Sequence, residues 1–202
     1  MSLAESTDAL LDRIRSGRAD ALGELFQLHR ERLWRMLTVR LDRRLGARLS
    51  PDDVLQEAYL DVAKRIPEYL DSPKVPFYVW LRFLTLQRLQ MLQRSHLGTA
   101  RRDAGRERPL AEATYASSDS MAGQLVGNLT SPSRAAIRGE IHDRLRAALD
   151  AMDPVDREVL ALRHFEEMSN AETAEALGIS KDAASKRHVR ALIRLREILG
   201  EP

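Results

Sequence analysis

Cysteine is absent from the 202 residues. That removes disulfide staples, a thiolate zinc site and a cysteine nucleophile from consideration, and it fits a cytoplasmic location. No apolar run is long enough to cross a bilayer, and the first residues lack the basic-then-apolar text of a secretory signal. No membrane insertion is expected. His-Glu-x-x-His, a Gly-rich phosphate loop and Gly-x-Ser-x-Gly are all missing, so the chain is not expected to be an enzyme or to hold a metal or cofactor. The formal charge is nearly balanced at +2, which makes its distribution more informative than its mean.

That distribution is uneven. Residues 81–110 carry seven Arg against two acids, a net of +5, and residues 181–202 carry six Lys or Arg against three acids, a net of +3. Between them, residues 151–175 carry seven acids and two Arg, a net of −5. Two basic zones separated by an acidic one suggest two anion-binding surfaces, with ordinary solvated helix faces as the bland alternative.

Hydrophobic residues make up 44% of the chain, enough for one modest domain or two small ones. Their spacing is helical. Leu10, Leu11 and Ile14 share a face, and Leu22, Leu25, Phe26, Leu33 and Leu37 recur at core-facing intervals. Ser50-Pro51-Asp52-Asp53 is a start signal, with Ser50 as cap and Asp53 returning a bond. Pro67 is expected to end the helix it starts, leaving Glu68 to Pro76 as a constrained loop. Phe77 opens another helix, and the first module closes near Arg94. Residues 95–133 are rich in Gly, Ser, Thr and Ala without an apolar stripe, and read as an extended linker. The second module, 134–202, carries Ile137, Ile141, Leu145 and Leu149 on one helix and Val155, Val159, Leu162 and Phe165 on the next.

The densest signal is at residues 169–199. Ser169 and Glu172 form a capping box, and the short helix after it presents Ala171, Ala174 and Leu177. Gly178 stands where the chain must turn, Ile179 can plug the gap, and Ser180 caps a new helix. So short a turn forces a steep crossing, the geometry of a helix-turn-helix. The second helix is expected to bury Ala184, Ala191, Leu192, Leu195 and Leu199 and to show Lys181, Ser185, Lys186, Arg187, His188, Arg190 and Arg194. Such a face can meet phosphates and base edges in a major groove. His188 has no second His or carboxylate at ligand spacing and does not by itself indicate metal.

A helix-turn-helix needs only about 60 residues, and here an N-terminal helical module accompanies it. Asp52, Asp53, Gln56 and Glu57 make an acidic, polar face beside Leu55 and Leu60, suited to a basic protein partner. Phe77 and Tyr78 stand at a helix start, where an aromatic is readily exposed to stack on unpaired bases. Trp80 is in phase with Leu84, so core packing and base contact both remain open for it. Arg82, Arg88 and Arg94 offer phosphate contacts.

These motifs together resemble the sigma-70 family of bacterial RNA polymerase sigma factors, in its extracytoplasmic-function class. The likeness covers about residues 10–94 as a sigma-2 domain and 137–199 as a sigma-4 domain. It implies an all-α chain of two small helical domains joined by a long flexible linker. The acid-rich stretch of the family stands here as Asp52, Asp53, Gln56, Glu57 and Tyr59, with Leu55 between them. In the family that helix docks on the β′ clamp of core polymerase, and the β flap is a second contact. The family's promoter-reading helix stands here as Phe77, Tyr78, Trp80, Leu81 and Arg82, with Gln87 where Asn is usual and Met91 where Asp is common. With Gln87 and Arg88, it implies contact with melted −10 DNA. In the second domain the pattern stands as Met152, Asp153, Pro154, Arg157-Glu158-Val159 and Leu177-Gly178-Ile179-Ser180. Lys181, Ser185, Lys186, Arg187 and Arg190 are then the −35 contacts. The resemblance also implies an anti-sigma partner and a free state that is monomeric. The competing reading is a repressor or activator that binds duplex DNA without polymerase.

Overall fold

The capping chemistry of the sequence sets where most of the helices begin. In the computed structural model, residues 3–18, 20–42, 45–46, 48–96, 115–129 and 135–199 are described, and all regular structure among them is helical. The chain divides into two compact units, one of Met1–Leu37 with Leu41–Ala104 and the other of Thr38–Arg40 with Gly105–Pro202.

In the first unit, α1 (Leu3–Arg15) and α2 (Asp20–Thr38) are joined by a turn in which Gly17 takes φ +86°. Arg13 reaches across that turn to Asp20 at 3.0 Å and Glu24 at 2.7 Å. Helix α3 (Pro51–Asp71) starts on the expected box: the Asp53 amide donates to Ser50 Oγ, and the Ser50 amide donates to Asp53 Oδ2. Helix α4 (Phe77–His96) packs along α3. Leu25, Leu33 and Leu37 of α2, Val54, Ala58 and Val62 of α3, and Leu81, Leu84 and Leu89 of α4 are buried together in the core of the unit. Burying each such side chain contributes about 1.5–3 kcal/mol relative to leaving it exposed.

The expected stop at Pro67 is not a stop. Helix α3 continues one turn beyond it, to Asp71. Proline removes one backbone donor, but burial and local hydrogen bonds hold the extra turn. Tyr69 is buried, its hydroxyl donates to the Val75 carbonyl at 3.0 Å, and the Ser72 amide closes the end on Glu68. The loop before α4 is correspondingly shorter than the stretch Glu68–Pro76.

In the second unit, α5 (Ser118–Leu129) packs against α6 (Ala135–Asp150). Part of the stretch expected to be a structureless linker, 95–133, is therefore a helix. Ala116, Met121, Ala122 and Val126 are buried against Leu145 and Leu149, which compensates for two helical glycines. Residues 97–114 and 130–134 lie outside the described residues. Helix α7 (Pro154–Leu160), capped by Asp153, widens into a π-helical turn at Ala161–Phe165. Helices α8 (Asn170–Leu177) and α9 (Lys181–Leu199) follow.

The short piece Thr38–Arg40 is built into this unit. Val39 joins its hydrophobic core and accepts a bond from the Ser117 amide at 2.8 Å. Arg40 is buried between Glu158 and Glu166, the latter at 2.7 Å, and Glu158 also accepts from the Ala116 amide at 2.8 Å. Buried charges persist only when paired and hydrogen-bonded in this way.

Candidate functional site

The first unit offers a groove of about 810 Å³ lined by residues of α2 and α3. Phe26, Leu55 and Tyr59 line it, with Tyr59 edge-on to Phe26 at 5.2 Å. Gln27, Arg30, Asp52 and Gln56 supply polar groups, and Arg30 is ion-paired to Asp52. Leu60 lies along it with half its surface in solvent (53%). Four of the expected polymerase contacts, Asp52, Leu55, Gln56 and Tyr59, are thus brought together. Leu55 contributes as a buried wall, not as an exposed side chain. Two others are occupied elsewhere. Asp53 is held by the Ser50 hydroxyl and amide, which keep its carboxyl below the usual aspartate range. Glu57 is exposed but lies 3.6 Å from Arg88, outside the groove lining. The α2 wall, Gly23, Phe26, Gln27 and Arg30, was missed by motif reading. Its only sequence signal is that Gln27 and Arg30 are polar positions one turn apart beside a core stripe.

Helix α4 corrects the expectation for its aromatics. Phe77 and Tyr78 are 5% and 2% exposed. Phe77 is edge-on to Tyr69, and Tyr78 lies under the Arg32 guanidinium at 3.5 Å. Neither is placed to stack on a base. Trp80 is half-buried and stacks on Tyr69 at 4.7 Å. Arg82 is also buried. Arg88 is clamped by Asp61, at 2.8 Å through Nε and 2.5 Å through Nη2. Gln87 is half-buried and accepts a long bond from Arg65 at 3.5 Å. The large apolar side chains that α4 shows are Phe83 (45% exposed) and Met91 (52%), and at its end Arg94, Ser95 and His96 are exposed as well. Phe83 is out of phase with Leu81, Leu84 and Leu89, and that phase is the signal that could have found it, whereas Met91 is in phase with Leu84 and is exposed near the end of the helix.

One buried histidine ties α1 and α2 to these aromatics. Thr7 Oγ1 donates to the Leu3 carbonyl, so His29 must donate its Nε2 proton to Thr7 Oγ1, 3.0 Å away. His29 also packs on Phe77 and Tyr78, with centroids 5.6 and 5.5 Å away. Burial, aided by the Arg32 charge, pushes its pKa down to about 4, so it is neutral at pH 7.

The second unit carries the helix-turn-helix as expected. The Ser169–Glu172 box closes at both ends, at 3.1 and 2.8 Å. Gly178 takes φ +63°, its amide and that of Ile179 bond back to α8, and the Ala183 amide donates to Ser180 Oγ at 3.1 Å. Asn170 ties the two helices by donating to the Lys181 carbonyl. Helix α9 rests on Ala184 and Ala191, both fully buried, against α6, α7 and α8. Alanines permit that close approach. Two expected core positions face outward instead: Ala171 is exposed, and so is Leu192 at 40%. The side chain of Leu199 lies outside the described residues.

Lys181, Ser185 and Lys186 are exposed on α9, with Lys186 paired to Asp182 at 2.7 Å across one helical turn. Arg187 differs. It is turned inward onto Asp156 at 2.7 Å and lies 3.5 Å from the α7 cap Asp153. Arg190, itself exposed, shares Asp156 at 3.1 Å. The acidic zone read from the sequence therefore partly serves α9 internally, through Asp153 and Asp156. Val189, Leu192 and Ile193 form an exposed apolar patch further along the helix.

His188 is not alone in space. Its Nε2 lies 2.9 Å from Nε2 of His164, on the π-helical turn. Burial first, then neighbouring cations, lowers the pKa of both rings. Among the described residues, no group of three or more His, Cys, Asp or Glu is arranged to hold a metal ion, and no helix is long and apolar enough to cross a membrane.

Comparisons with known proteins agree with this geometry. The family model for sigma-70 region 4 matches residues 142–195, the span from α6 through most of α9. The chain is 31% identical over 194 residues to the RNA polymerase sigma factor CarQ of Myxococcus xanthus, covering 95% of this chain and 96% of that protein. It is 28% identical over 196 residues to the ECF RNA polymerase sigma factor SigD of Mycobacterium tuberculosis, covering 96% and 84%. Among solved structures, CnrH in complex with the cytosolic domain of CnrY matches in fold with a TM-score of 0.56 and 22% identity, over 96% of this chain and 97% of that one.

Proposed function

Because the chain belongs to the sigma-70 family of RNA polymerase sigma factors, in the extracytoplasmic-function class, we propose that its two units divide the work of promoter recognition between a polymerase-docking groove and a duplex-reading helix. The observation that carries this reading is the pairing, in one chain, of an apolar groove with polar edges and a helix-turn-helix whose second helix is basic outside and alanine-lined beneath. Likeness to sigma factors along nearly the whole chain favours this reading over a repressor or activator acting without polymerase.

Residues 1–94 are the polymerase-binding and −10 module. Asp52, Gln56 and Leu60 along the groove meet the β′ clamp of core polymerase. The exposed edge of α4, with Phe83, Gln87 and Met91, meets melted −10 DNA, while Phe77, Tyr78 and Arg82 hold that helix from beneath. Residues 134–202, extended by α5, are the −35 module. Lys181, Ser185, Lys186 and Arg190 contact duplex DNA, with Arg187 as a positioning residue that fixes α9 on Asp156. The apolar patch Val189, Leu192 and Ile193 is assigned to the β flap, since an uncovered apolar strip on one helix face suits a partner helix or loop. An anti-sigma protein is a further proposed partner. No bond chemistry is involved; binding and DNA distortion supply the energy, and the site of action is the cytoplasm, where polymerase works.

The test is reconstituted transcription. Core polymerase with this chain should start transcripts at promoters mapped after induced expression, and core alone should not. Failure to bind core, together with absence of promoter-dependent transcripts, contradicts the proposal.

A further inference from the structure

The π-helical turn has no part in the division of labour above. Such turns are rare and are often found at functional sites, because the extra residue re-aims a side chain. Here the Glu166 amide reaches back to the Ala161 carbonyl at 3.2 Å, and the widened turn sets His164 against His188 of α9. The Nε2 atoms are 2.9 Å apart, the ring centroids 5.1 Å, and the ring planes inclined by 36°. His164 is exposed and His188 half-buried, so an ion from solvent can reach the pair.

We infer that His164 and His188 form a two-imidazole site for a divalent first-row transition-metal ion, copper(II) before the others. The rings meet nearly head-on in the metal-free pair, with centroids 5.1 Å apart, and each swings about its side-chain bonds to aim its Nε2 lone pair at an ion about 2.0–2.1 Å from both nitrogens. Imidazole is a preferred donor for this part of the metal series, and copper(II) binds such donors most tightly. No third protein ligand joins the pair among the described residues, which leaves the remaining positions to water.

The proton arithmetic is consistent with this. Arg163, whose charge acts on both rings, is turned to the Met168 carbonyl rather than to the pair. In the metal-free pair one ring donates its Nε2 proton to the other ring's Nε2 lone pair. Binding moves that proton to the same ring's Nδ1, so two neutral imidazoles bind the ion without net proton release. The consequence is a metal strap between the π-helical turn and α9, independent of any role in transcription.

Cu²⁺ titrated into the full chain, free of any affinity tag, tests the site by calorimetry and electron paramagnetic resonance. One ion per chain should bind, with hyperfine structure from two imidazole nitrogens. His164→Gln and His188→Gln should each weaken binding at least about tenfold, with helical content unchanged, whereas His96→Gln and His142→Gln should leave it intact. No saturable binding, or binding that neither His164→Gln nor His188→Gln weakens, overturns the proposal. Should His188→Gln disturb α9, His164→Gln, on a different element, decides alone.

Discussion

Helices α4 and α9 both read in the sequence as long, basic, DNA-facing helices, yet the fold uses them in opposite ways. Helix α4 is a core helix. Its aromatic start and Arg82 are buried, Arg88 is clamped to Asp61, and its exposed side chains are an edge at Phe83 and Met91 and the last residues, Arg94 to His96. Helix α9 is a surface helix that rests on Ala184 and Ala191 and keeps Lys181, Ser185 and Lys186 outside. The lesson is that a basic helix does not by itself declare which of its residues touch DNA. On α4 most substitutions should register as stability, and on α9 most should register as binding.

The largest effect expected from that contrast is at Tyr78. Tyr78→Ala empties a buried ring site beneath Arg32 and beside His29 and should cost about 3–5 kcal/mol in denaturant unfolding. A loss under about 1 kcal/mol would place Tyr78 on the surface in solution and break the comparison.

Next in size is a pH effect belonging to the same core. His29 has a folded pKa near 4 against an ordinary value of 6.5. Between those values the unfolded chain binds a proton that the folded chain refuses. This contribution to stability is therefore complete above about pH 6.5 and is lost as pH falls toward 4, by roughly 3 kcal/mol in total. Unfolding curves measured from pH 7 to 4 should steepen in this window, and His29→Asn should flatten them. An unchanged pH slope in that variant would show that His29 is not the buried group responsible.

A smaller effect is expected at the turn of the helix-turn-helix. A Cβ at Gly178 would meet nothing within 4 Å, so Gly178→Ala pays only for its φ of +63°, about 1 kcal/mol. Thermal unfolding should show a modest drop, and a gain would mean that the turn is not left-handed.

The smallest change in stability, with the clearest change in binding, is expected on α9. Lys186→Ala removes an exposed pair with Asp182 and should alter stability by under about 0.5 kcal/mol. If Lys186 neutralises a phosphate, the slope of log K against log salt for −35 duplex binding should fall by about 0.9. An identical slope would remove Lys186 from the DNA face.

What the sequence made legible was local. The boxes at Ser50–Asp53 and Ser169–Glu172, and the left-handed Gly178, depend on residues within one turn of each other and are found as expected. What it concealed was tertiary. Pro67 looked terminal because the anchor that carries α3 past it, the Tyr69 ring against Phe77 and Trp80 of α4, depends on how the chain returns. Helix α5 looked like linker because Gly123 and Gly127 weaken it, while the α6 face that buries Met121 and Val126 lies elsewhere in the chain. Phe77 is buried where exposure was expected because exposure on α4 depends on which side α2 and α3 cover. Arg187 looked free because its partner, Asp156, stands 31 residues away, and His188 looked solitary because His164 stands 24 away.

The central claim, that polymerase docking and duplex reading lie on separate faces, is tested most directly by one paired measurement. Core-polymerase affinity and −35 duplex affinity should be determined side by side for Leu60→Arg and Lys186→Ala in the full chain. Leu60→Arg should weaken core binding about tenfold or more while leaving duplex binding unchanged, and Lys186→Ala should do the reverse. Equal losses of core binding in both variants, or no loss in Leu60→Arg, would contradict it.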